Sequence, residues 1–244
     1  METESETRSR LEISNISKNF DGLEVIRDVS LTVGRNEFIS VLGVSGSGKT
    51  TLFNIIAGLE KPDSGVVLLD GKIGYMMQKD LLLPWKRIID NVSLPLILGG
   101  MKKQQARDTA SELFETFGLA GHEMNFPNEL SGGMRQRAAL LRTYLISGET
   151  MLLDEPFASV DAITRAKLHG WLIDTCRKLN LSVLLITHDV DEAILLSDRV
   201  YVISDKPASV KDIIPTDFTK SGGVDIGASP QYSAAKRRIM DSLN

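Results

Sequence analysis

The stretch Gly43-Val-Ser-Gly-Ser-Gly-Lys-Thr50 sets glycines, a lysine and a hydroxyl at a spacing that suits phosphate chemistry. It fits the pattern G-x-x-x-x-G-K-S/T in full. Glycine lets the backbone curl until its N–H groups converge on phosphate oxygens. Gly43, Val44, Ser45, Gly46, Ser47, Gly48 and Thr51 would line that cradle. Lys49 adds a point charge for the outer phosphates, and the Thr50 hydroxyl a ligand for Mg²⁺. A glycine-rich turn that merely precedes Lys-Thr would lack the right flanks. Here the apolar run EFISVLG, from Glu37 to Gly43, leads in as a buried strand, and Leu52, Ile55, Ile56 and Leu59 repeat at helical spacing behind it.

Other residues able to do chemistry lie at the ends of apolar runs. TMLLDEP places Asp154 and Glu155 directly after one, where Asp154 can hold the hydration shell of Mg²⁺. Glu155 comes next, so strand alternation turns its side chain elsewhere, and there it can polarise an attacking water. LLITHD repeats the arrangement with His188, either a hydrogen-bond donor to a γ-phosphate or a structural histidine. Gln78 closes GYMMQ and can coordinate Mg²⁺ or position water. Phe20 is either a face on which adenine stacks or a core aromatic of a hairpin. A second anion site is suggested by ELSGGMRQR, Glu129 to Arg137. Ser131, Gly132 and Gly133 open a helix-forming run whose first N–H groups have no helical partners. His122 and His169 lack metal-ligand spacing and receive no role.

The elements that must position these residues follow from periodicity. LEISNISKNF and VIRDVSLTV flank Asp21-Gly22 as an antiparallel hairpin, and VVLLDGKIGYMMQ reads as a second hairpin across Asp70-Gly71. From LPWKRIIDNV to Leu145 the pattern is mostly helical. It holds an amphipathic helix over Gln104 to Phe117 and a later stripe of Met134, Ala138, Leu141 and Leu145. TMLLDE and SVLLITH return as buried strands on either side of a helix over Thr164 to Lys178, and RVYVIS reads as the final strand. Strand–helix alternation predicts a parallel sheet covered by helices. TKSGGVDIGASP reads as a flexible linker, and SPQYSAAKRRIMDSL as a terminal helix with Ser229 at N-cap and Pro230 at N1.

Composition narrows the class. The 244 residues are 42% hydrophobic and 25% charged, enough apolar material for a sizeable core. The longest apolar candidates, LLLPW and LPLIL, are broken by proline and fall short of a membrane span. METESETRSR is polar and of mixed charge, unlike a secretory signal. The single cysteine, Cys176, excludes an internal disulfide and fits a reducing compartment. A net charge of −4 argues against a nucleic-acid partner.

Taken in order, GVSGSGKT, Gln78, LSGGM, LLDEP, SVD and THD resemble the ATP-binding cassette (ABC) ATPases, over nearly the whole chain from Leu11. The resemblance implies an α/β fold. It would be a P-loop NTPase with a RecA-like parallel sheet core, an N-terminal antiparallel β subdomain and a helical signature subdomain. A single domain would span residues 11–205, its helical part residues 84–146, with a tail over 206–244. ATP and Mg²⁺ are the implied ligands, with Glu155, His188 and Gln78 catalytic and Thr50, Gln78 and Asp154 at the metal. In that family two cassettes dimerise head to tail. Ser131, Gly132 and Gly133 would then meet the nucleotide of the neighbouring molecule, and Asp161 in FASVD would lie where the two make contact.

The departures are small: Met134 stands where glutamine is usual, as in some importer ATPases; the family's SALD becomes SVDA with Asp161 in place; and Gly71 to Gln78 is short. QKDLLLPWKRIIDNVSLPLIL and the terminal SPQYSAAKRRIMDSL resemble importers of the nitrate, sulfonate and taurine type. This implies an ATPase subunit on the cytoplasmic face of the cell membrane. Its partners would be a second copy, integral membrane permease subunits and an extracytoplasmic substrate-binding protein. Leu82, Leu83 and Trp85 would either receive a short helix of the membrane subunit or fill the helical core. The alternative class is a soluble cassette that remodels a protein or an iron–sulfur assembly. The transported solute is not legible.

Overall fold

The Asp21-Gly22 turn joins β1 (Leu11–Phe20) to β2 (Leu23–Val33) in the computed structural model, which describes residues 9–218 and 229–243. Both turn residues have positive φ, 48° and 84°, the backbone that a tight two-residue hairpin requires. β4 (Ser64–Leu69) pairs antiparallel with the other edge of β1, giving a three-stranded sheet of order β2-β1-β4. The described chain divides into two compact units, one running to Gly71 and resuming at Asn180, the other Lys72–Leu179.

The expected second hairpin is not formed. Asp70 is tied back to β1 and its neighbourhood instead: its amide donates to the Arg10 carbonyl, and its carboxylate accepts from Arg10 and Arg35. Gly71, at φ 95°, then redirects the chain. β5 (Ile73–Met76) belongs to the second unit, where it pairs in parallel with β6 (Thr150–Asp154).

In the first unit, β3 (Phe38–Leu42) lies between β7 (Ser182–Thr187) and β8 (Arg199–Ile203), parallel to both. Every residue of β3 and of β7 is buried, which explains why both are mostly apolar without alternation. The sheet does not stop at the RVYVIS strand. A further strand, β9 (Val210–Pro215), pairs antiparallel with β8 and draws residues read as tail into the fold. Helix α1 (Lys49–Ile56) follows β3, and α7 (Val190–Leu196) follows β7. The terminal helix α8 (Pro230–Leu243) starts as its sequence implies, the Tyr232 amide donating to Ser229 Oγ. Most of the TKSGGVDIGASP linker lies outside the described residues.

The second unit is mostly helical: α2 (Ile88–Val92), α3 (Leu94–Leu98), α4 (Lys103–Ser111), α5 (Gly132–Ser147) and α6 (Ala162–Lys178). α4 ends at Ser111 rather than continuing to Phe117. The chain tightens there into i→i+3 turns, Leu113 to Ala110 and Phe114 to Ser111. The tightening carries Phe114 and Phe117 into the core, where the Phe117 ring lies 5.8 Å from Tyr144 and 6.0 Å from Trp171. Leu82 is buried, Leu83 half-buried and Trp85 72% exposed, so the LLPW segment is divided between core and surface. Among the described residues no helix is long and apolar enough to cross a membrane.

Asn91 holds that segment in place. Its side chain is fully buried; Oδ1 accepts from the Leu83 amide at 2.7 Å, and Nδ2 donates to the carbonyls of Leu83, Lys86 and Arg87. Truncation leaves these backbone groups buried without partners. Asn91→Ala is therefore expected to destabilise the chain by about 2–3 kcal/mol in urea titrations, whereas a neutral effect would show that water replaces the side chain.

Candidate functional site

Leu42 ends β3, and the chain passes through the glycine-rich loop into α1 at Lys49. Gly46 and Gly48 take φ values of 81° and 111°. Gly48 also has no room for a side chain: a Cβ would lie 3.0 Å from the Val25 carbonyl oxygen and 3.1 Å from the Val25 side chain. At Gly43 a Cβ would press on the Ile203 side chain at 2.6 Å. Val44, Ser45, Gly46 and Thr50 are exposed, Thr51 is half-buried, and Ser47 is buried beneath the loop. Gly48 is the N-cap of α1 and has no side chain with which to cap it. Lys49 is itself buried, its Nζ donating to the carbonyls of Gly43 and Val44, each at 2.7 Å, and to Ser47 Oγ at 3.4 Å. The loop thus gathers a cation at its base.

His188 joins the loop at the same edge of the sheet. Leu42 and Thr187 are register partners, so Gly43 and His188 both follow directly from paired strand ends. His188 is exposed. The Asp189 amide donates to Thr187 Oγ1, and the Asp189 carboxylate accepts from the amides of Asp191 and Glu192, which starts α7 just beyond the histidine. Phe20 ends β1 and is 41% exposed, which excludes the core-aromatic reading. The Lys18 ammonium lies over its ring, 5.0 Å from the centroid, and is itself held by Glu60, Asp63 and the Lys61 carbonyl. Lys18 carried no signal in the sequence, because its partners come from a distant loop.

In the second unit Asp154 is the buried last residue of β6 and accepts from the Tyr75 hydroxyl at 3.4 Å. Burial first, and then the Asp154 carboxylate, push the Tyr75 phenol upward, so it stays a neutral donor. Glu155 does not continue the strand alternation. Its φ of 45° turns the backbone left-handed, a conformation unfavourable for a side chain of this kind. Gln78 Nε2 donates to Glu155 Oε2 at 3.1 Å, so two residues 77 apart in sequence meet.

Ser131 and Gly132 are exposed at the start of α5, and Ser131 Oγ caps the helix by accepting from the Met134 amide. Gly133 is buried for a different reason: a Cβ there would lie 3.1 Å from the Thr164 side chain. Asp161 caps α6, its Oδ1 accepting from the amide of the same Thr164 at 3.0 Å. That backbone hydrogen bond holds the Asp161 carboxylate below its ordinary range. Thr164 thus links Gly133 to Asp161. Thr50, Gln78 and Asp154 offer a hydroxyl, an amide oxygen and a carboxylate, the hard oxygen donors that Mg²⁺ takes. Among the described residues no three His, Cys, Asp or Glu side chains form a cluster able to hold a metal ion.

Comparison with known proteins agrees with these motifs. Residues 26–158 match the family described as ABC transporter. The formylaminopyrimidine import ATP-binding protein ThiZ of Halalkalibacterium halodurans is 51% identical over 219 residues, 88% of each chain. The aliphatic sulfonates import ATP-binding protein SsuB 1 of Rhodococcus jostii is 41% identical over 239 residues, 96% of this chain and 93% of its own. Among solved structures, the ATP-binding cassette MJ0796, seen as a dimer in a post-hydrolysis state bound to ADP and Pi, superposes with a TM-score of 0.72. It is 28% identical over 84% of this chain and 98% of that one.

The glycine geometry generates a specific expectation. Gly48→Ala both forces a left-handed alanine and drives Cβ against the Val25 carbonyl. Strain of this size, about 1–2 kcal/mol or more, should weaken binding of a fluorescent ATP analogue by roughly tenfold or greater. Gly46→Ala, where the same region is open, should do less. Equal losses would show that backbone handedness alone, not close approach, governs the loop.

Proposed function

The chain belongs to the ABC transporter family, and we propose that it is the ATP-hydrolysing subunit of an importer, closing as a homodimer around ATP and passing that closure to membrane permease subunits. The observation that carries the reading is the buried Lys49 ammonium held on the carbonyls of a glycine loop whose Gly43 and Gly48 leave no room for a side chain. Such a cation can exchange carbonyl oxygens for phosphate oxygens without being brought in from water. The backbone N–H groups from Gly43 to Thr51 surround the phosphates, and the free face of Phe20 stacks on adenine.

For hydrolysis, Glu155 orients and polarises the attacking water, Gln78 fixes the carboxylate by holding Oε2, and His188 donates to the γ-phosphate. Thr50, Gln78 and Asp154 would hold Mg²⁺, which supplies charge neutralisation at the outer phosphates. Ser131 and Gly132, exposed at the start of α5, serve the nucleotide of the second copy, while Gly133 lets α5 approach α6. Asp161 contributes to the contact between copies. Cassette MJ0796, dimeric with ADP and Pi, supports the paired arrangement. The import names of the relatives support permease and extracytoplasmic binding-protein partners at the cytoplasmic face of a membrane. The exposed Trp85 and Leu81 offer the permease an apolar contact. Relatives named for a formylaminopyrimidine and for sulfonates share the cassette but not the solute chemistry, which supports a reading in which the partners choose the solute.

Glu155→Gln should retain ATP binding and lower hydrolysis by about 10²–10⁴-fold, trapping an ATP-dependent dimer visible by size-exclusion chromatography. Retained fast turnover would assign the carboxylate role elsewhere.

Pairing in trans has its own test. Lys49→Ala and Ser131→Arg should each be inactive alone. Mixed, they form one composite site from the intact loop of the second and the intact Ser131 of the first, and ATP binding should partly return. A Ser131→Arg chain that dimerises and hydrolyses like the parent would end the trans reading.

A further inference from the structure

The terminal helix meets the segment that carries His188. On α8, Tyr232, Ala235, Lys236 and Ile239 recur at i, i+3, i+4 and i+7, one face of a helix. The apolar members and the Tyr232 ring enter a buried cluster with Leu42, Ala193, Ile194, Val200, Val202 and Ile214. The polar members converge on one carboxylate. The Tyr232 hydroxyl and Lys236 Nζ both donate to Asp191 Oδ1, each at 2.5 Å. Burial opposes ionisation of Asp191, but these two hydrogen bonds overcome it and hold the carboxylate below its usual range. Farther along, Arg238 forms a bidentate pair with Asp212 of β9, which stops the helix from sliding.

Asp191 stands three residues after His188, in the first turn of α7. At seven residues, α7 is too short to hold its shape by its own propensity. The path from strand to helix is fixed at both ends: by Leu42 pairing with Thr187 on one side, and by the Asp189 cap on the other. Ala193 and Ile194 seat α7 on the sheet through its buried face, and the hydrogen bonds from α8 to Asp191 tie its first turn, the part nearest His188. We propose that Tyr232 and Lys236 are positioning residues for His188: by holding Asp191 they fix the exit of α7, and so the C-terminal helix sets the placement of the histidine during ATP hydrolysis. The inference rests on the role given to His188 above.

Asp191 and Lys236 are both nearly half exposed, and such pairs contribute little to global stability. Their loss should therefore appear in rate and not in folding. The test uses the full-length chain carrying Tyr232→Phe and Lys236→Met together, which keeps the ring and the aliphatic stem in place. Mg²⁺-ATP hydrolysis should fall about five- to tenfold in kcat, since small misplacements of a catalytic group carry costs up to about a hundredfold. KM, fluorescent-nucleotide affinity and the midpoint of thermal unfolding should stay near the parental values. Lys236→Arg, which retains a donor to Asp191, should hold kcat close to parental. A folded double variant with parental kcat would overturn the proposal, and so would a joint drop in melting temperature, nucleotide affinity and rate, which marks the helix as a general stabiliser. His188→Ala, measured beside it, separates the two readings. If that variant hydrolyses at the parental rate, the assignment of His188 has failed and this proposal fails with it. If it is inactive while the double variant is not impaired, the clamp alone is wrong.

Discussion

Leu42 pairs with Thr187 across β3 and β7, and what the first unit can do follows from that register. Both strands are buried on both faces, so any slip would move side chains of different volume through a closed core. The fixed register delivers the glycine loop and His188 to one edge of one sheet. It also places Leu42 in the cluster that receives α8, so the stem of the loop and the terminal helix share a core. A single strand pairing thereby governs the phosphate loop, the histidine and the helix behind it.

Backbone handedness is the second constraint. Among the described residues, the non-glycine positions with positive φ are Asn or Asp at Asn15, Asp21, Asp28, Asn36 and Asn180, residue types that tolerate this conformation. Leu81 and Glu155 are not of that kind. Both occur in the second unit, Glu155 in contact with Gln78, and Leu81 with its carbonyl held by Arg142 at 2.8 Å. Strain of this sort persists only where neighbours over-determine it. At Glu155 it turns the carboxylate out of the strand line that Asp154 ends, so adjacent acids can do different work.

Local chemistry was legible in the sequence, and long-range partnership was not. The turn between strand and helix at Gly43 to Thr50, the Asp21-Gly22 hairpin, the helix start at Ser131 and the Ser229 cap each depend on residues within a few positions, and each formed as read. Asp70-Gly71 read as a hairpin turn, and that hairpin does not form, because Arg10 and Arg35 hold Asp70 from outside the local sequence. The helix expected to reach Phe117 ended early because Phe114 and Phe117 are buried more fully by a tighter turn, a tertiary preference with no local sign. β9 was missed because its charged residues, Lys211 and Asp212, read as tail when the buried strand beside them is not in view. Asn91, Lys18 and the Asp191 contacts are likewise visible only once distant segments meet.

The partners of β3 have a consequence for how the chain is made. β3 leaves the ribosome early, at Phe38–Leu42, yet the strands on either side of it, Ser182–Thr187 and Arg199–Ile203, are synthesised only after the whole of Lys72–Leu179. At typical elongation rates the mostly apolar β3 waits for roughly ten seconds before either neighbour exists. Lys72–Leu179, by contrast, is contiguous and can fold while it emerges. Nascent chains are therefore most exposed to aggregation and to chaperones over the interval in which the middle of the protein is finished and the parallel sheet around β3 is not.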